Sequence, residues 1–215
     1  MPGSLAAVAP PARPGAHAGE TVPMENPPTG PEQLATRTAE IMRDGDRASR
    51  AAGVDVVALG EHHRPEYAIT TPETVLAGIA TRTSRIRLSS GVTVLSSDDP
   101  VRVYQRFATL DALSDGRAEV IVGRGSFTES FPLFGYELSD YETLFEEKLE
   151  LFSLLLDEKP VTWQGRTRAG LQDADVYPKT ENGLKAWVGV GGSPESVVRA
   201  ARYGYGLVLA IIGGS

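Results

Sequence analysis

Two of the three histidines in this 215-residue chain stand side by side in Gly60-Glu61-His62-His63, directly behind the apolar run VDVVAL. Three chemistries fit that cluster. A zinc site needs three converging protein ligands, and adjacent residues leaving a strand diverge. The remaining histidine, His17, lies in a Pro/Ala/Gly-rich stretch, and no other histidine or carboxylate spacing supplies a third ligand. No metal site is therefore expected. A histidine at a strand end can instead move a proton or touch a ligand, because it titrates near neutrality. The plainest alternative has both histidines capping the strand through hydrogen bonds. On residue types alone the last two stay open.

Three further positions could carry chemistry. Arg124 stands between two glycines in VGRGSFTES, where a guanidinium could fork onto a phosphate or carboxylate. A turn arginine that is solvated, or paired with Glu129, is the plainer reading. Gly191-Gly192-Ser193 precedes Pro194, so helix N–H groups and close backbone approach could form an anion site. An ordinary strand-to-helix turn has the same composition. Gly91 interrupts the strand-like RIRLSSGVTVLS, which suggests a bulge or a flat ligand against the backbone.

The elements that must position these residues alternate. Helices are expected over 31–52, with Leu34, Ile41 and Ala48 on one face, over 72–84 with Thr71 as N-cap, and over 100–113 capped by Asp99. A long amphipathic helix follows, with Tyr141, Leu144, Phe145, Leu149, Phe152 and Leu155 at helical spacing. The last helix runs from Pro194. Strands are expected at VDVVALG, RIRLSSGVTVLS, RAEVIVGRG, LKAWVGVGG and LVLAIIGG, and residues 160–183 read as a turn-rich excursion with a small hairpin. Five strands alternating with five helices predict a parallel α/β sheet. A doubly wound sheet would want a glycine fingerprint after its first strand, which ends in GEHHRPEY instead. Candidate residues gather at the C-terminal ends of several strands, which is the (β/α)8 pattern. Five strands do not close eight.

Composition narrows the class. A net charge of -7 with no basic run argues against a nucleic-acid surface,. No apolar run approaches the roughly 18 residues of a membrane span, and the N-terminus lacks the pattern of a secretory signal. Zero cysteines exclude disulfides and thiolate metal sites, which suits the cytoplasm,. Residues 1–30 are too rich in Pro, Ala and Gly to bury a core and are expected to form a disordered tail. Residues 31–215 would form the folded domain.

Taken together, GVDVVALGEHHRPEY, RIRLSSGVTVLSSDDPVRVYQRFATLDALSDGRAEVIVGRGSFTESFPLFGYEL and AWVGVGGSPESVVRAARYGYGLVLAIIGG resemble the bacterial-luciferase-like family of flavin-dependent monooxygenases. The resemblance implies a TIM-barrel type (β/α)8 fold, here incomplete. Strands 2–6 would be present and the first, seventh and eighth missing. It implies reduced FMN at the C-terminal mouth, O2 activated as a flavin C4a-peroxide, and oxidation of a small organic substrate. By the same likeness, Arg124 holds the FMN phosphate with Gly191, Gly192 and Ser193. Gly91 and Val92 match a non-proline cis peptide that supports the flavin ring. His62 matches an acid–base histidine, Glu61 a carboxylate beside the flavin that also braces a dimer contact, and His63 is structural. A separate flavin reductase and a homodimer formed through helices 72–84 and 100–113 are further implications. A deazaflavin- or NAD(P)H-linked reductase, or a non-catalytic flavin-binding subunit, are the alternatives on the same barrel.

Overall fold

The computed structural model describes residues 36, 39, 40, 43, 54–65, 67–125, 127–191 and 194–209. The expected tail at 1–30 and most of the helix at 31–52 lie outside these. The four described positions within that helix are helical.

The main sheet contains β1 (Val56–Leu59), β2 (Arg87–Ser90), β4 (Ala118–Gly123), β7 (Lys185–Val190) and β8 (Gly206–Leu209), paired in that order and parallel throughout. Spatial order follows chain order with no reversal. A doubly wound sheet would show a switch point, so this is the open arc of a (β/α) barrel, as the sequence pattern predicts. One expected strand is corrected. RIRLSSGVTVLS splits at Gly91 into β2 and the two-residue β3 (Thr93–Val94), which among the described residues pairs with β4 alone. The Gly91–Val92 peptide between them is cis. The last strand is described as far as Leu209, and the remainder of LVLAIIGG lies outside the described residues.

Helices cover one face of the sheet. They are α1 (Pro72–Ala80), α2 (Pro100–Ser114), α4 (Tyr141–Leu156) and α5 (Pro194–Arg202), while the single turn α3 (Ser130–Leu133) lies in the connection after β4. Alternate strand residues, including Val57, Leu88, Val120 and Val188, meet Leu76, Val103, Phe107, Leu149 and Phe152 in one core. Burying each such side chain stabilises the fold by about 1.5–3 kcal/mol. Asp99 caps α2 as expected, accepting from Val101 N–H at 2.9 Å and Arg102 N–H at 3.2 Å. Thr71 occupies the N-cap of α1, but its side chain makes no capping bond. Its carbonyl takes the Thr74 N–H instead, at 3.1 Å. Arg117 ties the helix ends to β4, donating to the carbonyls of Ala80 (3.0 Å), Thr83 (2.9 Å), Ile86 (2.8 Å) and Ser114 (2.6 Å). Those are carbonyls that the helices and their turns leave unsatisfied.

The other face of the sheet lines the barrel interior. Near the N-terminal ends, buried Glu119 accepts from Arg87 at 2.7 Å and from Trp187 Nε1 at 3.1 Å. Higher up, Val92 lies across two glycines. A Cβ at Gly189 would come 2.6 Å from a Val92 methyl, and one at Gly123 2.9 Å from the other. The excursion at 160–183 does hold a hairpin, β5 (Val161–Trp163) against β6 (Leu171–Ala174). Among the described residues no helix is long and apolar enough to cross a membrane.

Candidate active site

β1 ends where Gly60 turns the chain into the Glu-His-His cluster. Glu61 is buried at 9% exposure. One carboxylate oxygen accepts the Val94 N–H at 2.9 Å, and the other meets His63 Nε2 at 2.9 Å. The first bond fixes β3 just past the cis peptide. Burial pushes the Glu61 carboxyl above its usual range, against the Val94 and His63 bonds that pull it down,. His63 also meets Phe134 edge-on, with ring centres 5.2 Å apart, so it is braced on two sides.

His62 is aimed differently. Its backbone N–H bonds the Ile69 carbonyl at 3.1 Å. Its ring lies 4.0 Å from Tyr67 and 5.4 Å, edge-on, from Phe127. A Cβ at Gly60 would stand 3.0 Å from His62 Nε2 and 3.3 Å from the Gly91 carbonyl oxygen. Glycine there lets the imidazole fold back towards Gly91. Burial, reinforced by the His63 ring beside it, lowers the His62 pKa, with Glu129 opposing. A neutral imidazole is thus favoured at neutral pH, able to accept a proton at one nitrogen and donate from the other.

Arg124 leaves the C-terminal end of β4. It pairs with Glu142, reaches the Ser196 hydroxyl at 3.4 Å and lies 5.2 Å from the centre of the Tyr141 ring. The alternative partner weighed for it, Glu129, pairs with Arg64 instead, at 3.1 Å. Ser196 belongs to the first turn of α5, so the arginine does meet the helix that follows the glycine-rich turn. Gly191 follows β7 and is exposed, with open space where a Cβ would point. Gly192 and Ser193 lie outside the described residues.

Glu61, His62, Gly91 and Val92 are therefore brought together, while Arg124 and Gly191 form a second group at the ends of β4 and β7. The sequence reading missed Tyr67, Phe127, Ser130 and Lys148. Lys148 was detectable, because it falls on the apolar stripe of α4 between Leu144 and Phe152. It is 1% exposed and donates to the Ser96 carbonyl at 2.7 Å. Tyr67 and Phe127 carry no spacing signal; only the fold brings two loop aromatics onto one imidazole. Among the described residues no group of three or more His, Asp or Glu side chains could hold a metal ion.

A parallel barrel arc with candidate site residues at its strand ends, over such a Glu-His-His cluster, points to a class. Residues 21–213 match the family model for luciferase-like monooxygenases, and the chain belongs to that family. It is 34% identical over 158 residues to 4-hydroxyprotoasukamycin monooxygenase of Streptomyces nodosus subsp. asukaensis, covering 71% of this chain and 42% of that protein. It is 32% identical to limonene 1,2-monooxygenase of Rhodococcus erythropolis, covering 70% and 39%. The crystal structure of monooxygenase RslO1 from Streptomyces bottropensis superposes with a TM-score of 0.74 at 27% identity, covering 83% of this chain and 56% of that one. The chain spans about two fifths of the length of these two curated relatives.

Proposed function

We propose that this chain forms the flavin-binding part of an FMN-dependent monooxygenase that uses O2 to oxidise a small organic substrate. The observation that carries the reading is the meeting of Arg124 with the first turn of α5, on the same rim as His62 and Gly91. The residues fit FMN. A guanidinium, a serine hydroxyl and the open backbone at Gly191 suit a phosphate, and the exposed Glu142 paired with Arg124 is a solvent-screened competitor,. Gly91 and Val92 offer a side-chain-poor surface for a flat ring. When bound, reduced FMN supplies the electrons that activate O2.

The protein's own part follows from its geometry. Arg124 and Gly191, joined by Gly192 and Ser193 on the family likeness, would bind the phosphate end. Tyr67 and Phe127 shield the His62 ring from water. The neutral imidazole takes or returns a proton at the reacting face, and Glu61 holds β3, and with it Val92, in place. Reduced FMN would come from a separate reductase, and the chain would pair as a homodimer through α1 and α2. A cytoplasmic setting suits a chain without cysteine,.

Titration with FMN tests the reading. Arg124→Ala should weaken FMN binding by about 1.5–3 kcal/mol, the scale of a lost charge-assisted contact. His62→Ala should keep FMN affinity and lose turnover by roughly 10²–10⁴-fold, as for a positioned acid–base group. Unchanged affinity in Arg124→Ala would remove the arginine from the site. Tighter binding of a deazaflavin than of FMN would move the chain to the reductase alternative.

A further inference from the structure

Glu142 sits between two arginines. One of its carboxylate oxygens meets Arg124 at the end of β4, and the other accepts from Arg199 of α5 at 3.1 Å. Arg199 lies one helical turn after Ser196, so the two share a side of α5,. The Ser196 hydroxyl lies 3.4 Å from Arg124, while Arg199 holds the carboxylate that Arg124 also holds. Arg199 has another counter-charge as well. Its Nε donates to Glu146, and its guanidinium lies 5.4 Å from the centre of the Phe145 ring. The Arg199 side chain is 8% exposed and that of Glu142 is 61% exposed. A buried arginine anchored by Glu146 thus carries a second, more exposed carboxylate that it shares with the phosphate-binding candidate.

We propose that Arg199 is a positioning residue for phosphate binding, which takes over Glu142 when a phosphate displaces that carboxylate from Arg124. The charges call for such a partner. Phosphate and Glu142 compete for one guanidinium, and two anions left side by side repel. With Arg199 behind it, the released carboxylate stays paired. The phosphate then meets Arg124 and the first turn of α5 with no unbalanced acid beside it. Without Arg199, Glu142 has Arg124 as its remaining partner and holds it more tightly. The exposure of Glu142 keeps each of these effects modest, because solvent screens the pair. This deepens the FMN reading by adding a residue that acts through Glu142 and Arg124, and it rests on that reading for the identity of the phosphate.

Calorimetric titration of the full chain with FMN, riboflavin and inorganic phosphate tests it, in the wild type, Arg199→Gln, Glu142→Gln and the double variant. Arg199→Gln should weaken FMN about two- to fivefold, the scale of one partly screened ion pair. Riboflavin, which lacks the phosphate, should bind as before. Glu142→Gln should tighten FMN by about the same factor, and adding Arg199→Gln to it should cost less than about twofold, because the carboxylate to be taken over is gone. Arg199→Lys should keep most of the wild-type affinity. Equal weakening of riboflavin, an undiminished Arg199→Gln loss in the Glu142→Gln background, or weaker FMN binding in Glu142→Gln would each overturn the proposal and leave the FMN reading standing. If the wild type binds no FMN, that reading fails, and the same cycle with inorganic phosphate decides this one: an uncoupled cycle, or no phosphate binding, overturns it. A second measurement serves if Arg199→Gln folds poorly. The Arg199 guanidinium N–H resonances should shift on saturation of the wild type with FMN and shift less in Glu142→Gln, and identical shifts would overturn the takeover.

Discussion

A cation inside a protein has to be held against its lost hydration, and Lys148 shows how little can suffice. One carbonyl, that of Ser96, and the face of the Tyr136 ring 4.0 Å away are its direct contacts. Desolvation brings its pKa down to about 8, with Asp98 and Asp99 opposing. The unfolded chain keeps the ordinary value near 10.4. Between these two values the unfolded state binds more protons than the folded one, so this lysine makes stability rise with pH there. The shift corresponds to about 3 kcal/mol. Urea unfolding of the wild type and Lys148→Met should therefore diverge in the wild type's favour from about pH 8 to pH 10. Parallel pH curves would show that the lysine titrates normally. At this scale the sequence was partly legible. His62 and Glu61 stood out by type and spacing, whereas Ser130 and Phe127 carry no pattern until the fold closes around them.

The elements were more legible than the residues. Apolar runs bounded by glycine or proline identify the main parallel strands, and Asp99-Pro100 marks the start of α2. What periodicity could not give was the break in RIRLSSGVTVLS, because pairing with β1 stops at Ser90 while pairing with β4 continues at Thr93. Sheet pairing is a long-range property that a local pattern does not encode. The break sets Val92 over the glycines of two neighbouring strands. Gly189→Ala should therefore destabilise the fold by about 1–3 kcal/mol through overpacking. In a Val92→Ala background the same change should cost much less, and a double-mutant cycle in urea measures the difference. Additive costs would mean that Val92 does not fill the space.

At the scale of the whole molecule the open arc has two ends. On the outer side of β8 no strand pairs among the described residues, and Leu207 and Leu209 are 39% and 63% exposed.

The opposite end of the barrel interior has its own consequence. The Glu119 carboxylate reads three strands at once, because its partners Arg87 and Trp187 come from β2 and β7. A slip of one residue in either pairing would turn a partner to the other face and leave an acid without its donors in the interior. Misaligned arcs are thus penalised at the base, so one carboxylate there helps to set the strand alignment that the distant rim inherits.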